Sequence, residues 1–178
     1  MEENGVGSRY YVKGKRISLR RVKEDDWTDV CAAAHAMEVN PDEMWNKMFF
    51  SRYKNLYAVA ELNDKTVVGF LEARNMRTPY PVVLCFIFEE FRRQGYGTES
   101  MQLFLEIIKK RKTKVEWFCT GCKDDNQAAQ ALIESLGGVL DMADTLGGPQ
   151  ALHRYAIEAG LEKEEDVRWF YSYSIPCK

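Results

Sequence analysis

Apolar residues recur along this chain with two periods, and the changes from one to the other mark its elements. Ile17 and Leu19 alternate with polar neighbours over Arg16–Val22, the period of a strand. Trp27, Val30, Cys31 and Ala34 then fall at i, i+3, i+4 and i+7, one face of a helix that must stop before Pro41. Asn40-Pro41-Asp42-Glu43 offers a cap, a proline at the first helical position and a glutamate three after the cap, so a second helix starts there. Leu56–Leu62 and Thr66–Ala73 read as strands around the turn Asn63-Asp64-Lys65, a hairpin. Val82–Phe88 is a short apolar run of the kind buried on both faces of a sheet. Met101, Phe104, Leu105 and Ile108 return to helical spacing over 98–112. Val115–Cys122 is strand-like, and Ala129, Leu132, Ile133 and Leu136 form the apolar face of a helix over 126–136. Val139–Met142 is a short strand, Pro149–Leu161 a helical insertion, and Trp169, Tyr171, Tyr173 and Ile175 alternate as a final strand.

The predicted order is strand, two helices, three strands, helix, strand, helix, then two strands. That is an α/β protein, a twisted mixed sheet flanked by about four helices, with a helical insertion before the last strand. At 178 residues it reads as one domain over 15–178, preceded by a loose polar arm over 1–14.

The most informative junction lies between the apolar strand and the helix after it. Glu90-Phe91-Arg92-Arg93-Gln94-Gly95-Tyr96-Gly97-Thr98 puts two glycines and two arginines where a helix begins. Backbone N–H groups at such a start attract anions, and glycines let a ligand approach them closely. The segment asks for a phosphate. A Walker loop would need a lysine after the second glycine, and Thr98-Glu99 has none. A dinucleotide fingerprint would need a third glycine where Ser100 stands.

Arg92, Gly95 and Gly97 instead resemble motif A of the GNAT acetyltransferases, Arg/Gln-x-x-Gly-x-Gly. One strand later, Asn126, Ala129 and Gly137 resemble the same family's motif B, an Asn, a small residue three on and a Gly eleven on. The nearest likeness is to the ribosomal-protein N-terminal acetyltransferases. The resemblance implies that the loop amides over Arg92, Arg93, Gln94, Gly95, Tyr96, Gly97 and Thr98 hold the pyrophosphate of acetyl-coenzyme A. It further implies that Phe86, Ile87 and Phe88 lie nearest the pantetheine arm and that Asn126 contacts cofactor or acceptor. The Thr98 hydroxyl would join the phosphate site or cap its helix; the Asn126 side chain could equally be a cap. The sequence departs from the family where many members carry a tyrosine acid (Ile133), where some carry a serine (Ala129), and where a strand carboxylate is common (Val83).

Acetyl transfer needs an amine that has lost its proton, and two residues are candidate bases. Glu72 points either into the central cleft or into solvent. His153, in the insertion, has the intrinsic pKa for the task. Glu116 is a lesser candidate, and His35 is expected to be packed beside its helical stripe.

Composition narrows the classes. Net charge is −2 and the isoelectric point near 5.8, which argues against nucleic acid or an anionic membrane as partner. The basic run Lys109-Lys110-Arg111-Lys112 complements the dipole of its helix as a solvated C-terminus. No run reaches the roughly 18 apolar residues of a membrane helix. Met1-Glu2-Glu3-Asn4 does not read as a signal peptide, so a cytoplasmic protein is expected. Five scattered cysteines fit reduced thiols, and Cys119-x-x-Cys122 lacks the second pair a zinc site requires, so no metal is expected.

The reading is an N-acetyltransferase that moves acetyl from acetyl-coenzyme A directly to a primary amine, on a small molecule or a protein N-terminus. The alternative from another class is a non-catalytic acyl-coenzyme A sensor or scaffold. A homodimer is compatible with either.

Overall fold

The computed structural model describes residues 10–50, 55–112, 114–141, 156–161, 163 and 170–177. They fall into two compact units, Met1–Val115 and Glu116–Lys178.

In the first unit, strands β1 (Tyr10–Lys13), β2 (Ile17–Arg20), β3 (Leu56–Leu62), β4 (Val67–Arg74) and β5 (Val82–Ile87) pair antiparallel in that order. Helices α1 (Trp27–Ala36) and α2 (Pro41–Phe50) come between β2 and β3, and α3 (Tyr96–Arg111) follows β5. Within the expected loose arm, Tyr10–Lys13 is a strand, which corrects the sequence reading there; residues 1–9 lie outside the described residues. Tyr11 holds β1 in place, its ring stacked under Arg21 and Arg111 at 5.7 and 4.6 Å. Such cation–π contacts join residues far apart in sequence, and periodicity cannot register them.

The strand register decides which side chains meet. Tyr57 lies opposite Glu72, and Glu72 opposite Leu84. Val59 lies opposite Phe70, and Phe70 opposite Phe86. Residues directly opposite share a face, so two rows of side chains cross β3, β4 and β5 together. Val30 and Ala33 of α1 and Met48 of α2 pack with Tyr57, Val59 and Phe70 as one core cluster. Helix α3 lies on β2, β4 and β5 and buries Met101, Phe104, Leu105 and Ile108. Each such side chain, withdrawn from water, favours the folded state by roughly 1.5–3 kcal/mol before entropy is counted. Gly69 leaves no room for a side chain between β4 and β5, since a Cβ there would stand 2.0 Å from the Phe86 carbonyl oxygen.

Strand β5 departs from the fully buried strand expected of its apolar run. Val83 is buried, but Leu84, Cys85, Phe86 and Ile87 are half-buried. One reason is that Leu84, Cys85 and Phe86 line a cleft. The basic run also does more than meet solvent. Lys112 Nζ donates to the carbonyl of Met76 at 2.6 Å and to that of Thr78, tying the end of α3 to the turn between β4 and β5.

In the second unit, β6 (Trp117–Lys123), β8 (Phe170–Pro176) and β7 (Val139–Leu140) pair antiparallel in that order, with α4 (Gln127–Ser135) following β6. Ile133 is the buried residue of α4, and Ala129, Leu132 and Leu136 are half-buried around it. Gly137, at φ +82°, ends the helix in the left-handed conformation its sequence position promises, with Gly138 N donating to Ile133 O at 2.9 Å. Cys119 and Cys122 both lie on β6 as free thiols. Three residues apart on a strand, they face opposite sides.

Candidate active site

The junction singled out from sequence is a bend that opens a helix. Beyond β5, Phe88 N donates to Val68 O at 3.0 Å, and a 3₁₀ turn at Glu89–Phe91 reverses the chain. Arg93 at φ +60° and Gly95 at φ +80° then bring it to the first turn of α3. No side chain caps the helix. Glu99 N bonds back to Gly95 O at 3.1 Å, and the amides of Tyr96, Gly97 and Thr98 precede the first intrahelical bond. Those amides, at the positive end of a 16-residue helix, are a seat for an anion. Helix α3 starts two residues before the sequence reading placed it. Gly95 is therefore its N-cap, and Thr98 lies inside the first turn and does not cap it.

Arg16, which the sequence reading missed, anchors this bend. Its Nε donates to Glu99 Oε2 at 2.8 Å and its Nη1 to Gln94 O at 3.0 Å, with the guanidinium 5.0 Å from the Tyr96 ring centroid. Glu99 Oε1 also accepts from the backbone N–H of Arg16 at 2.9 Å and of Ile17 at 3.2 Å. Partial burial alone would push the Glu99 carboxyl up, but these bonds and the Arg16 charge outweigh it and hold the group below its usual range. A Cβ added at Gly95 would come within 3.1 Å of Arg16 Nη2, so side-chain space there is already taken. A basic residue 83 positions before its glutamate partner leaves no periodic or motif signal.

The other expected ligands sit as follows. Arg92 Nε donates to Ile87 O at 2.9 Å, and Gln94 Nε2 to Glu90 O at 3.0 Å, so both side chains fold back on the bend while Arg93 is exposed. Phe86 and Phe88 meet edge to face at 5.2 Å. In the second unit, Asn126 caps α4, its Oδ1 accepting from Ala129 N at 3.0 Å. Glu116 is exposed, and so is His35, which is not packed as expected. His153 lies outside the described residues.

Glu72 is among the residues that line a cleft. The cleft, of about 330 Å³, is walled by Met44 and Met48 of α2, by Tyr57, Phe70 and Glu72, and by Leu84, Cys85 and Phe86 of β5. The Glu72 side chain is only 16% exposed. Its Oε1 accepts from the Tyr57 hydroxyl at 2.7 Å and its Oε2 from Arg74 Nη2 at 2.8 Å, with Arg74 Nε paired ionically to Oε1 at 2.7 Å. Each oxygen thus accepts one hydrogen bond, and Oε2 keeps a second acceptor position open. Burial, with the Glu72 bond adding to it, pushes the Tyr57 phenol up to about 12. Burial likewise pushes the Cys85 thiol up to about 12.

The family model described as the acetyltransferase (GNAT) domain matches residues 16–139, from the anchoring arginine through both motifs. The chain belongs to the GNAT acetyltransferase family. Its activity is therefore acetyl-coenzyme A-dependent N-acetyl transfer, which decides between the enzyme and the sensor that sequence leaves side by side. The fold of this GNAT enzyme is similar to that of spermidine N-acetyltransferase from Vibrio cholerae in complex with CoA and spermine. That likeness has a TM-score of 0.69 at 14% identity, over 92% of this chain and 96% of the other. It is similar as well to RimL, the ribosomal L7/L12 alpha-N-protein acetyltransferase, in complex with coenzyme A. There the TM-score is 0.68 at 16% identity, over 94% and 97% of the two chains. At such identities the likeness is one of fold. No curated protein sequence matches the chain.

The start of α3 in this GNAT enzyme suits the diphosphate of coenzyme A, with uncapped amides at a positive helix end. Among the described residues, no cluster of His, Cys, Asp or Glu could hold a metal ion, and no helix is long and apolar enough to cross a membrane.

Proposed function

We propose that this GNAT enzyme acetylates a primary amine that enters the cleft beside Glu72, by direct transfer. In this reading the amides of Tyr96, Gly97 and Thr98 grip the coenzyme A diphosphate, Arg93 adds positive charge, and Phe86, Ile87 and Phe88 flank the pantetheine arm. Bound acetyl-coenzyme A supplies an electrophilic thioester carbon and a thiol leaving group. The cleft and the bend are joined by β5, whose residues 84–86 wall the one and whose end leads into the other. That continuity is the observation that carries the reading.

Glu72 takes two roles. Its open Oε2 position accepts a hydrogen bond from the incoming amine, and it receives the proton shed as the N–C bond forms and the C–S bond breaks. Tyr57 and Arg74 lock the carboxylate in its rotamer, and Tyr57 keeps donating because its phenol stays protonated to about pH 12. Cys85, the thiol in the cleft wall, is also held protonated. Only a thiolate is an effective nucleophile, so an acetyl-cysteine relay is disfavoured and the amine attacks the thioester itself. The leaving thiolate is a weak enough base that the Ile133 and Ala129 departures are tolerable. The amine is that of a small molecule or a protein N-terminus; the described cysteines, none of them in a disulfide, fit a reducing compartment such as the cytoplasm.

Substituting Glu72→Gln keeps the shape but removes the base, together with one of the two acceptor oxygens. Turnover should fall by about 10²–10⁴-fold, with coenzyme A affinity unchanged by calorimetry. Turnover within a few fold of the parent would remove Glu72 from the mechanism.

A further inference from the structure

Resting on Glu72 and its cleft as the acceptor seat, we infer that the amine acetylated here carries a single positive charge on an apolar body, and that polyamines are poor acceptors. The charge balance of the cleft carries this. Among the described residues its charged groups are Glu43, Lys47, Glu72 and Arg74. Glu43 and Lys47 are an exposed i,i+4 pair at the rim, 3.6 Å apart. Glu72 is already met by Arg74 through both of its oxygens. Two carboxylates and two cations therefore cancel, and Glu72 is the one carboxylate inside the rim that can meet an ammonium.

Beyond those groups the wall offers a second ammonium no carboxylate, its other polar members being Asn40 and the Tyr57 hydroxyl. Met44, Met48, Phe70, Leu84 and Phe86 present methyl, thioether and ring surfaces, and Met48 and Phe70 are buried. A cation placed among them would lose its hydration without gaining a partner. An alkyl or aryl body of the same size would fill the space, and methionine side chains adapt to such shapes. A linear polyamine needs carboxylates spaced along its path, and here the second carboxylate, Glu43, is already paired with Lys47 at the rim.

Pentylamine and the terminal pentanediamine, matched in carbon chain and differing by one ammonium, test the inference. Acetyl-coenzyme A-dependent thiol release by the full-length protein should show kcat/KM for pentylamine at least about tenfold above that for the diamine. Met44→Glu places a new carboxylate on the half-buried α2 wall, and should narrow that ratio by about tenfold. A diamine used as well as or better than the monoamine, or a ratio untouched by Met44→Glu, overturns the inference while leaving the cleft as acceptor site. Turnover of neither amine, with coenzyme A still bound, overturns the cleft assignment and the inference together.

Discussion

Gly95→Trp is expected to weaken coenzyme A binding by at least about 100-fold, the equivalent of one to two charge-assisted hydrogen bonds. Gly95 sits at φ +80°, where a side chain is strained by roughly 1–2 kcal/mol. Its Cβ position lies 3.1 Å from Arg16 Nη2, the far end of a flexible side chain, so the fold can yield there. An indole at that point covers the amides of α3 and displaces the arginine that holds them. Far-UV circular dichroism should remain that of the parent while the rise in Tm on adding coenzyme A disappears. A folded Gly95→Trp protein that coenzyme A still stabilises would show that the anion seat lies elsewhere.

The second large effect concerns the fold alone. Arg20→Met should destabilise the protein by about 3–5 kcal/mol, because it leaves buried carboxylates without their cation. Arg20, Asp26 and Glu61 are 1%, 2% and 0% exposed. Arg20 grips Asp26 through two bonds of 2.7 Å and reaches Glu61 through Nε, tying β2 and β3 to the turn that starts α1. For a chain of this size the loss corresponds to a fall in Tm on the order of 6–20 °C. Lys65, 3.5 Å from Glu61, offsets only the outer part of the imbalance. Replacing Arg20 and Glu61 together by Met and Leu should cost clearly less than the two single changes added, the signature of a coupled pair. Additive costs, or an Arg20→Met protein as stable as the parent, would mean that the cluster is not the tie it looks to be.

The Arg20 cluster also illustrates what the sequence conceals. Order and type of the elements could be read from the pattern, because α1, α3 and α4 each carry one apolar stripe and the apolar runs of β3 and β4 flank a recognisable turn. The bend at Gly95 and the stop at Gly137 were legible for a local reason: backbone conformation there restricts residue choice. The cleft beside Glu72 was not legible. A hairpin symmetric about Asp64 would set Tyr57 opposite Leu71. An irregularity between Ala60 and Glu61 shifts the register by one, so that Tyr57 faces Glu72. One residue of slip moves every side chain to the other face, and with it the Tyr57–Glu72–Arg74 network. Arg16 and Arg20 were hidden differently, since a cation in a strand has the same pattern whether solvent or a buried carboxylate receives it. Strand β1 was lost because its four residues are too short for any period to stand out.

The central claim is that main-chain donors at the start of α3 recognise a diphosphate. Titration calorimetry of the parent protein with coenzyme A and with pantetheine, which keeps the thiol arm but lacks the diphosphate, tests it most directly. Tight binding of coenzyme A, with pantetheine weaker by at least about 100-fold, is the predicted result. Equal affinity for the two, or none for coenzyme A, would contradict it.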